Sequence, residues 1–241
     1  MLIIGNEILS GRTRDANLGH FAERLSARGI ELCEVRIVPD TEPAIVGALN
    51  ALRADFDLVF TTGGIGPTHD DITADAVATA FGVPIGENAQ AIALLEAHYN
   101  SPSDFTPARR RMARIPAGAE LIPNAVSTAP GFRLANVFVM AGIPRVAAAM
   151  LEAVMESLPM GAVRGVVTIK AKVAEGRIAD ALRAIQARFG DVEIGSYPSY
   201  GAGDFHTALV LKSPDAARLA ACKAEILALL AGEGAIGEEI E

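Results

Sequence analysis

Lysine is almost missing from this chain. Its 241 residues hold only Lys170, Lys172, Lys212 and Lys223, so the opening region has none. That excludes a P-loop lysine, a kinase-type lysine and a Schiff-base lysine there. Any phosphate bound early in the chain must be held by backbone N–H groups, arginine or a metal ion. Cys33 and Cys222 are far apart and belong to no CxxC or Cys/His cluster, and there is no HExxH, so a structural zinc site is not expected. Cys33 lies in the alternation Leu32, Cys33, Val35, Ile37, which reads as a core thiol in a strand. No run approaches the roughly 18 uninterrupted apolar residues of a membrane span. Met1-Leu2-Ile3-Ile4 meets Gly5-Asn6-Glu7 at once, which is not a signal-peptide pattern. A cytoplasmic protein without membrane association is expected. A formal net charge of −8 argues against nucleic acid as a partner, because such binders need surplus cations to displace counterions. Tryptophan is absent and aromatics make up 5% of residues, so the core must be aliphatic and rich in alanine.

What is present is organised around residues 58–81. Leu58, Val59 and Phe60 read as a buried strand that breaks at Gly63-Gly64. Ile72, Ala76, Val77, Ala80 and Phe81 recur at helical spacing. Thr68 and Asp71 fit a helix-start signal, with Pro67 discouraging an earlier start. Glycines between a strand and a helix let a ligand approach bare backbone, and the helix end adds free N–H groups that suit phosphate. Gly63, Gly64 and Gly66 could equally make only a tight turn. The neighbouring pair Asp70-Asp71 tilts the balance, since two carboxylates repel phosphate unless a divalent cation or a proton intervenes.

Around that stretch the pattern alternates. Leu2–Ile4 reads as a strand, residues 15–27 as a helix capped by Gly29, and Ile30–Val38 as a second strand. Pro39-Asp40-Thr41 turns into a helix covering Ile45 to Leu52. Strand, helix, strand, helix, strand, helix predicts a parallel sheet with right-handed crossovers. Ligands in such sheets sit outside the carboxyl ends of the strands, which puts Gly5-Asn6-Glu7, Pro39-Asp40 and Gly63–Asp71 on one rim. Residues 87–99 read as a helix and 100–124 as irregular. The basic run Arg109-Arg110-Arg111-Met112-Ala113-Arg114 reads as a solvated helix face, or as the source of one arginine for a small anionic ligand. Phe132–Met140 gives strands, and a helix runs from Pro144 to about Leu158. The expected division is a domain over 1–158, a small α+β domain over 162–232 with a glycine-rich turn at Gly201 and Gly203, and a frayed tail over 233–241. The small domain looks KH-like or ferredoxin-like, without the GXXG clamp of RNA-binding KH domains.

GNEILSG (Gly5–Gly11), Asp15-Ala16-Asn17, Pro39-Asp40, TTGGIGPTHDDIT (Thr61–Thr73) and Asn124 with Ala129-Pro130-Gly131 occur in one characteristic order. Together they resemble the molybdopterin-binding fold of MogA/MoaB proteins and, more closely, the N-terminal region of the competence/damage-inducible CinA proteins. GGIGPTHDDIT and AGIPR (Ala141–Arg145) are also similar to the molybdopterin-binding-like domain of FAD synthases. The resemblance implies a three-layer α/β/α domain with a mostly parallel sheet, and a nucleotide or pterin ligand at the strand ends. It also implies that Asp40 and Asp71 match the two aspartates that matter in MogA-like enzymes. CinA-like and FAD-synthase-like relatives are associated with metal-dependent cleavage of the pyrophosphate in ADP-ribose or FAD. The usual Pro-Gly-Pro-Pro is Ala141-Gly142-Ile143-Pro144 here, and the acidic residue that follows is Val146.

These readings converge on an expected site. Asp71 and Asp40 are the catalytic candidates. Gly5, Asn17, Gly63, Gly64, Gly66, Thr68, Arg111 and Asn124 are the ligand-binding ones, with Arg111 chosen because it aligns best with a family arginine. Asp70, Asp71 and Glu7 are candidates for a divalent metal, Mg, Mn or Co. His69 is either solvent-exposed or a proton donor. The expected activity is a metal-dependent nucleotide pyrophosphatase, and a homo-oligomer is expected. The alternatives are a non-catalytic nucleotide- or pterin-binding module, or AMP transfer to molybdopterin.

Overall fold

Buried aliphatic strands set the architecture of the first of two units, Met1–Met160 and Gly161–Glu241, seen in a computed structural model that describes residues 1–99, 101, 103–201 and 204–240. The sheet is built from β1 (Leu2–Ile4), β2 (Arg36–Val38), β3 (Val59–Thr62), β6 (Glu120–Ile122), β7 (Gly131–Leu134) and β8 (Val137–Met140). Its order is β2-β1-β3-β8-β7-β6. The first four strands run parallel, and β7 and β6 are antiparallel additions.

Every residue of β1, β3 and β8 is buried, as expected of strands covered on both faces. Alternation along them divides the core in two. Leu2, Ile4, Val59, Val137 and Val139 pack with α3 (Glu42–Asp55) and α4 (Thr73–Phe81) on one face. Ile3, Phe60, Phe138 and Met140 pack with α2 (Asn17–Ala27) and α7 (Pro144–Met155) on the other. Phe60 stacks on Phe138 at 5.1 Å and meets Phe21 edge-on at 6.0 Å. Helices on both faces of a mostly parallel sheet make the expected α/β/α layering.

Several local expectations are corrected. The second strand covers only Arg36–Val38, because β1, its one partner among the described residues, has three residues to offer: Leu2↔Arg36, Ile3↔Ile37 and Ile4↔Val38. Cys33 therefore lies before the strand and is exposed. A short helix α1 (Asn6–Leu9) replaces the turn after β1. The supposedly irregular segment contains α6 (Pro107–Arg110), a 3-10 turn at Arg111–Ala113, β5 (Arg114–Pro116) and β6. Strand β5 pairs with β4 (Ile85–Glu87), and α5 (Ala89–His98) follows β4.

The second unit contains β9 (Gly165–Ala171), α8 (Glu175–Arg188), β10 (Glu193–Gly201), β11 (Asp204–Ser213), α9 (Ala216–Gly232) and β12 (Gly237–Ile240). Its antiparallel order β10-β11-β9-β12 is the βαββαβ ferredoxin-like arrangement. The tail expected to fray supplies its fourth strand, paired with β9. Gly234 (φ +71) turns the chain after α9, with its N–H on Ala231 O and the Ala235 N–H on Leu230 O, a left-handed helix stop. Gly237 then passes so close to Leu230, Leu227 and Ile169 that a Cβ would meet them at 2.8–3.0 Å. The glycine-rich turn read at Gly201 and Gly203 falls at residues 202–203, outside the described residues. Among the described residues no helix is long and apolar enough to cross a membrane.

Candidate functional site

The carboxyl ends of the parallel strands β1, β2, β3 and β8 run into Gly5, Pro39-Asp40, Gly63 and Ala141-Gly142, which is the rim where open α/β sheets hold ligands. A cavity of about 520 Å³ lies there. Glu7, Asp40, Asp70, Asp71 and the loop Gly63–Pro67 form one part of its wall, while Met112, Ala129, Ile143, Val146 and Met150 give it an apolar part. Asn124 and Ser127 also line it, as does Thr13, which sequence reasoning missed. A small adjoining hollow is lined by Gly64, Gly66, Asp71, Asp75, Arg111 and Arg114. The expected residues Gly5, Asn17 and Thr68 each lie against a residue that lines this wall, Glu7, Gly142 and Asp71 respectively.

The glycine loop is shaped by close backbone approach. Gly63 (φ +105) lies against β1, where a Cβ would come within 2.1 Å of Ile4 O, and its N–H is taken up by Met140 O at 3.2 Å. Gly64 (φ +66) leaves room for Thr73, whose Oγ1 a Cβ would meet at 2.2 Å. Thr73 is fully buried and fastens the loop to the helix. Its hydroxyl donates to Gly63 O at 2.9 Å, and its N–H donates to Gly64 O at 2.9 Å. Helix α4 thus starts at Thr73, later than the Thr68/Asp71 signal predicts. The physical reason is that Thr68 and Asp71 close a turn on themselves: Thr68 N–H donates to Asp71 Oδ2 at 2.8 Å, as does its hydroxyl. The role of Thr73 was missed because a threonine at a helix start usually reads as a cap, and nothing local reveals a tie to a glycine ten residues back. Thr73→Val is expected to cost about 1–3 kcal/mol in denaturant unfolding, since Gly63 O loses its donor in a buried place, while Thr73→Ser retains most of the bond.

The carboxylates converge without forming a cage. Asp71 packs where Gly66 has no Cβ; one there would meet its Oδ2 at 2.7 Å. Glu7 folds back over Gly5, leaving its carboxylate 2.6 Å from where a Gly5 Cβ would stand. Asp40 Oδ2 accepts the Asn6 N–H at 2.7 Å and so ties the end of β2 to the start of α1. Asp70 is exposed, and hydrogen bonding within its own turn holds its carboxyl below the usual range, so it is ionised at neutral pH. His69 projects into solvent. Among the described residues no three His, Cys, Asp or Glu side chains are grouped to hold a metal by themselves. Hard oxygen donors offered one or two at a time fit a magnesium-type ion that keeps waters and leans on substrate phosphate. They do not fit zinc.

The basic run separates into committed and uncommitted members. Arg109 lies over the Tyr99 ring at 4.5 Å and donates to Asp104 O. Arg110 makes a bidentate pair with Glu87, and Arg114 another with Asp75. Arg111 differs: its Nε is buried with no hydrogen-bond partner, and the residue lines the hollow beside Gly64 and Gly66.

The two asparagines are chiefly internal braces. Asn17 is buried and donates from Nδ2 to Gly142 O at 2.9 Å, steadying the loop that follows β8. Asn124 donates to Ser127 Oγ and Ala129 O and accepts from Val126 N–H and Ser127 N–H, so its amide is taken up by its own loop.

Comparison with known proteins follows the same division. Residues 1–160 match the family described as a probable molybdopterin binding domain, and residues 166–239 match the FAD synthase middle domain. A CinA-like protein of Citrifermentans bemidjiense is 41% identical over 157 residues, which cover 63% of this chain but 38% of that protein. The chain therefore spans well under half the length of that relative. A protein of Archaeoglobus fulgidus is 32% identical over 201 residues, 83% of this chain and 86% of its own length. Among solved structures, the protein CinA with unknown function from Thermoplasma acidophilum matches with a TM-score of 0.61 at 32% identity, covering 65% of this chain and 94% of that one. With residues 1–160 matched, the stretch that builds the sheet, the glycine loop and the cavity, this chain belongs to the molybdopterin-binding domain family and is a CinA-like member of it.

Proposed function

We propose that this chain is a metal-dependent pyrophosphatase acting on a dinucleotide such as ADP-ribose or FAD. The observation that carries the reading is the convergence of Glu7, Asp40, Asp70 and Asp71 with the glycine loop on one cavity wall. A cavity of that size lies in the ordinary range for a small-molecule ligand. The N–H groups of Gly64, Ile65 and Gly66 would take one phosphoryl group, since that of Gly63 is engaged by β8. Arg111, with its unpartnered Nε, would take the neighbouring charge. The apolar wall of Met112, Ile143, Val146 and Met150 would receive a flat ring and keep bulk water from it. Asp71, with Asp70 or with Asp40 and Glu7, would hold a divalent cation, which when bound neutralises the diphosphate and makes a water more acidic. Water adds to one phosphorus as the bridging P–O bond breaks, leaving AMP and a second phosphate ester.

Incubation with ADP-ribose and with FAD, each with Mg²⁺, Mn²⁺ or Co²⁺, is expected to release AMP only when metal is present. The match of residues 166–239 to the FAD synthase middle domain is the reason FAD belongs in the panel. No release from any pair would overturn the proposal. A second reading, a non-catalytic nucleotide- or pterin-binding module, is favoured by one fact: Asp71 Oδ2 and Asp40 Oδ2 already accept the backbone N–H groups of Thr68 and Asn6. Calorimetry separates the two, since heat of binding with no AMP released identifies the module.

A further inference from the structure

Thr128, between two residues that line the cavity, has a strained backbone. Its φ is +67, in a region that β-branched residues avoid. The Ala129 N–H reaches back to Ser127 O at 2.8 Å, which makes a γ-turn centred on Thr128. With positive φ this is the rare and strained of the two γ-turn forms. The turn is held from both sides. Inside, Asn124 binds Ser127 Oγ at 2.7 Å and Ala129 O at 2.9 Å. Outside, the Thr128 hydroxyl meets His98 Nδ1 at 2.9 Å. His98 closes α5, which is anchored by buried Ala91 and Leu95. Beside it Tyr99 stacks on Phe105 at 5.9 Å, and Arg109 lies over the Tyr99 ring. Both neighbours of Thr128, Ser127 and Ala129, line the cavity.

Strain of this kind persists only where the surroundings over-determine it, and it gathers at ligand clamps. We propose that Thr128 and His98 form a latch that pins the 124–129 turn to α5 and so sets the position of Ser127 and Ala129 against the ligand. Both are positioning residues, and the ligand part of the proposal rests on reading the cavity as a dinucleotide site. A glycine at 128 accepts the backbone angle but cannot reach His98. An asparagine accepts it and keeps a polar side chain for the imidazole.

The test pairs hydrogen–deuterium exchange with calorimetry on the whole chain, using ADP-ribose with Mn²⁺ as the probe. Thr128→Gly and His98→Ala are expected to speed exchange across 124–129 at least about tenfold, with β7 unchanged. Both should weaken ADP-ribose binding about tenfold or more, a small misplacement being enough for that. Thr128→Asn should restore both properties. Ala135→Gly relieves a similar angle (φ +51) in the β7–β8 hairpin and should change neither. Unchanged exchange in the two latch variants overturns the latch, and faster exchange with unchanged affinity overturns its positioning role. If the unaltered chain does not bind ADP-ribose while the latch variants still exchange faster, the substrate reading fails and the latch stands.

Discussion

Asp71→Asn is expected to lower metal-dependent AMP release by about 10²–10³-fold while leaving ADP-ribose binding within a few-fold of the original. That loss corresponds to about 2.7–4 kcal/mol of transition-state stabilisation. Asp71 has two oxygens with different duties. Oδ2 closes the Thr68 turn through the Thr68 N–H and hydroxyl. An asparagine oxygen can keep the N–H bond, so the loop should hold its shape and stability should fall by only about 0.5–1 kcal/mol. What asparagine cannot supply is the negative charge, and a divalent cation beside a diphosphate depends on charge more than on shape. The experiment measures AMP release against Mn²⁺ concentration together with calorimetric affinity. Undiminished turnover would remove Asp71 from the chemistry. If affinity and turnover collapse together while the fold is intact, the residue acts in binding rather than in the reaction.

The fold was legible in the sequence wherever hydrophobic pattern decides structure. Leu58-Val59-Phe60 and the helical spacing of Ile72 to Phe81 predicted a strand and a helix, and both exist with shifted ends. The shifts come from partners that local sequence cannot see. Ile30–Val38 alternates like a strand throughout, yet pairs only where the three residues of β1 reach it. The helix-start signal at Thr68 and Asp71 has the right chemistry but acts within its own turn, because the chain is already bent by Gly64 and tied by Thr73. The final strand was hidden because Gly234 and Gly237 read as tail composition. In fact they are a helix stop and a site of close packing. At the candidate site, residue type singled out residues that the structure gathers at one cavity, but not what each of them contacts. Gly5, Asn17 and Thr68 lie against Glu7, Gly142 and Asp71. Arginine identity could not separate Arg111 from Arg109, Arg110 and Arg114. The resemblance to a family arginine singled it out, and the structure adds the physical difference: bidentate partners for Arg110 and Arg114 and a ring contact for Arg109.

Gly63→Ala is expected to destabilise the first unit by about 3–5 kcal/mol, a large share of the stability of an ordinary domain. Two costs add. A φ of +105 is strained for any residue with a Cβ, worth about 1–2 kcal/mol. The new methyl would also sit 2.1 Å from Ile4 O, a backbone atom in the buried strand β1, so relief requires moving a strand. Overpacking of that kind costs about 1–3 kcal/mol. Displacement of the loop would further weaken the bonds from Gly63 N–H to Met140 O and from Thr73 to Gly63 O. Gly142 also approaches this residue closely, since a Cβ built on it would stand 3.2 Å from Gly63 Cα. Gly11→Ala is the matched comparison: its φ is +72, but nothing lies within 4 Å of the added methyl, so only the angular cost of about 1–2 kcal/mol applies. Denaturant unfolding of the two variants side by side measures the difference. Equal losses would mean that backbone angle alone explains the glycine. A clear excess for Gly63→Ala ties it to the meeting of β1, β3 and β8, the junction that places the loop over the cavity.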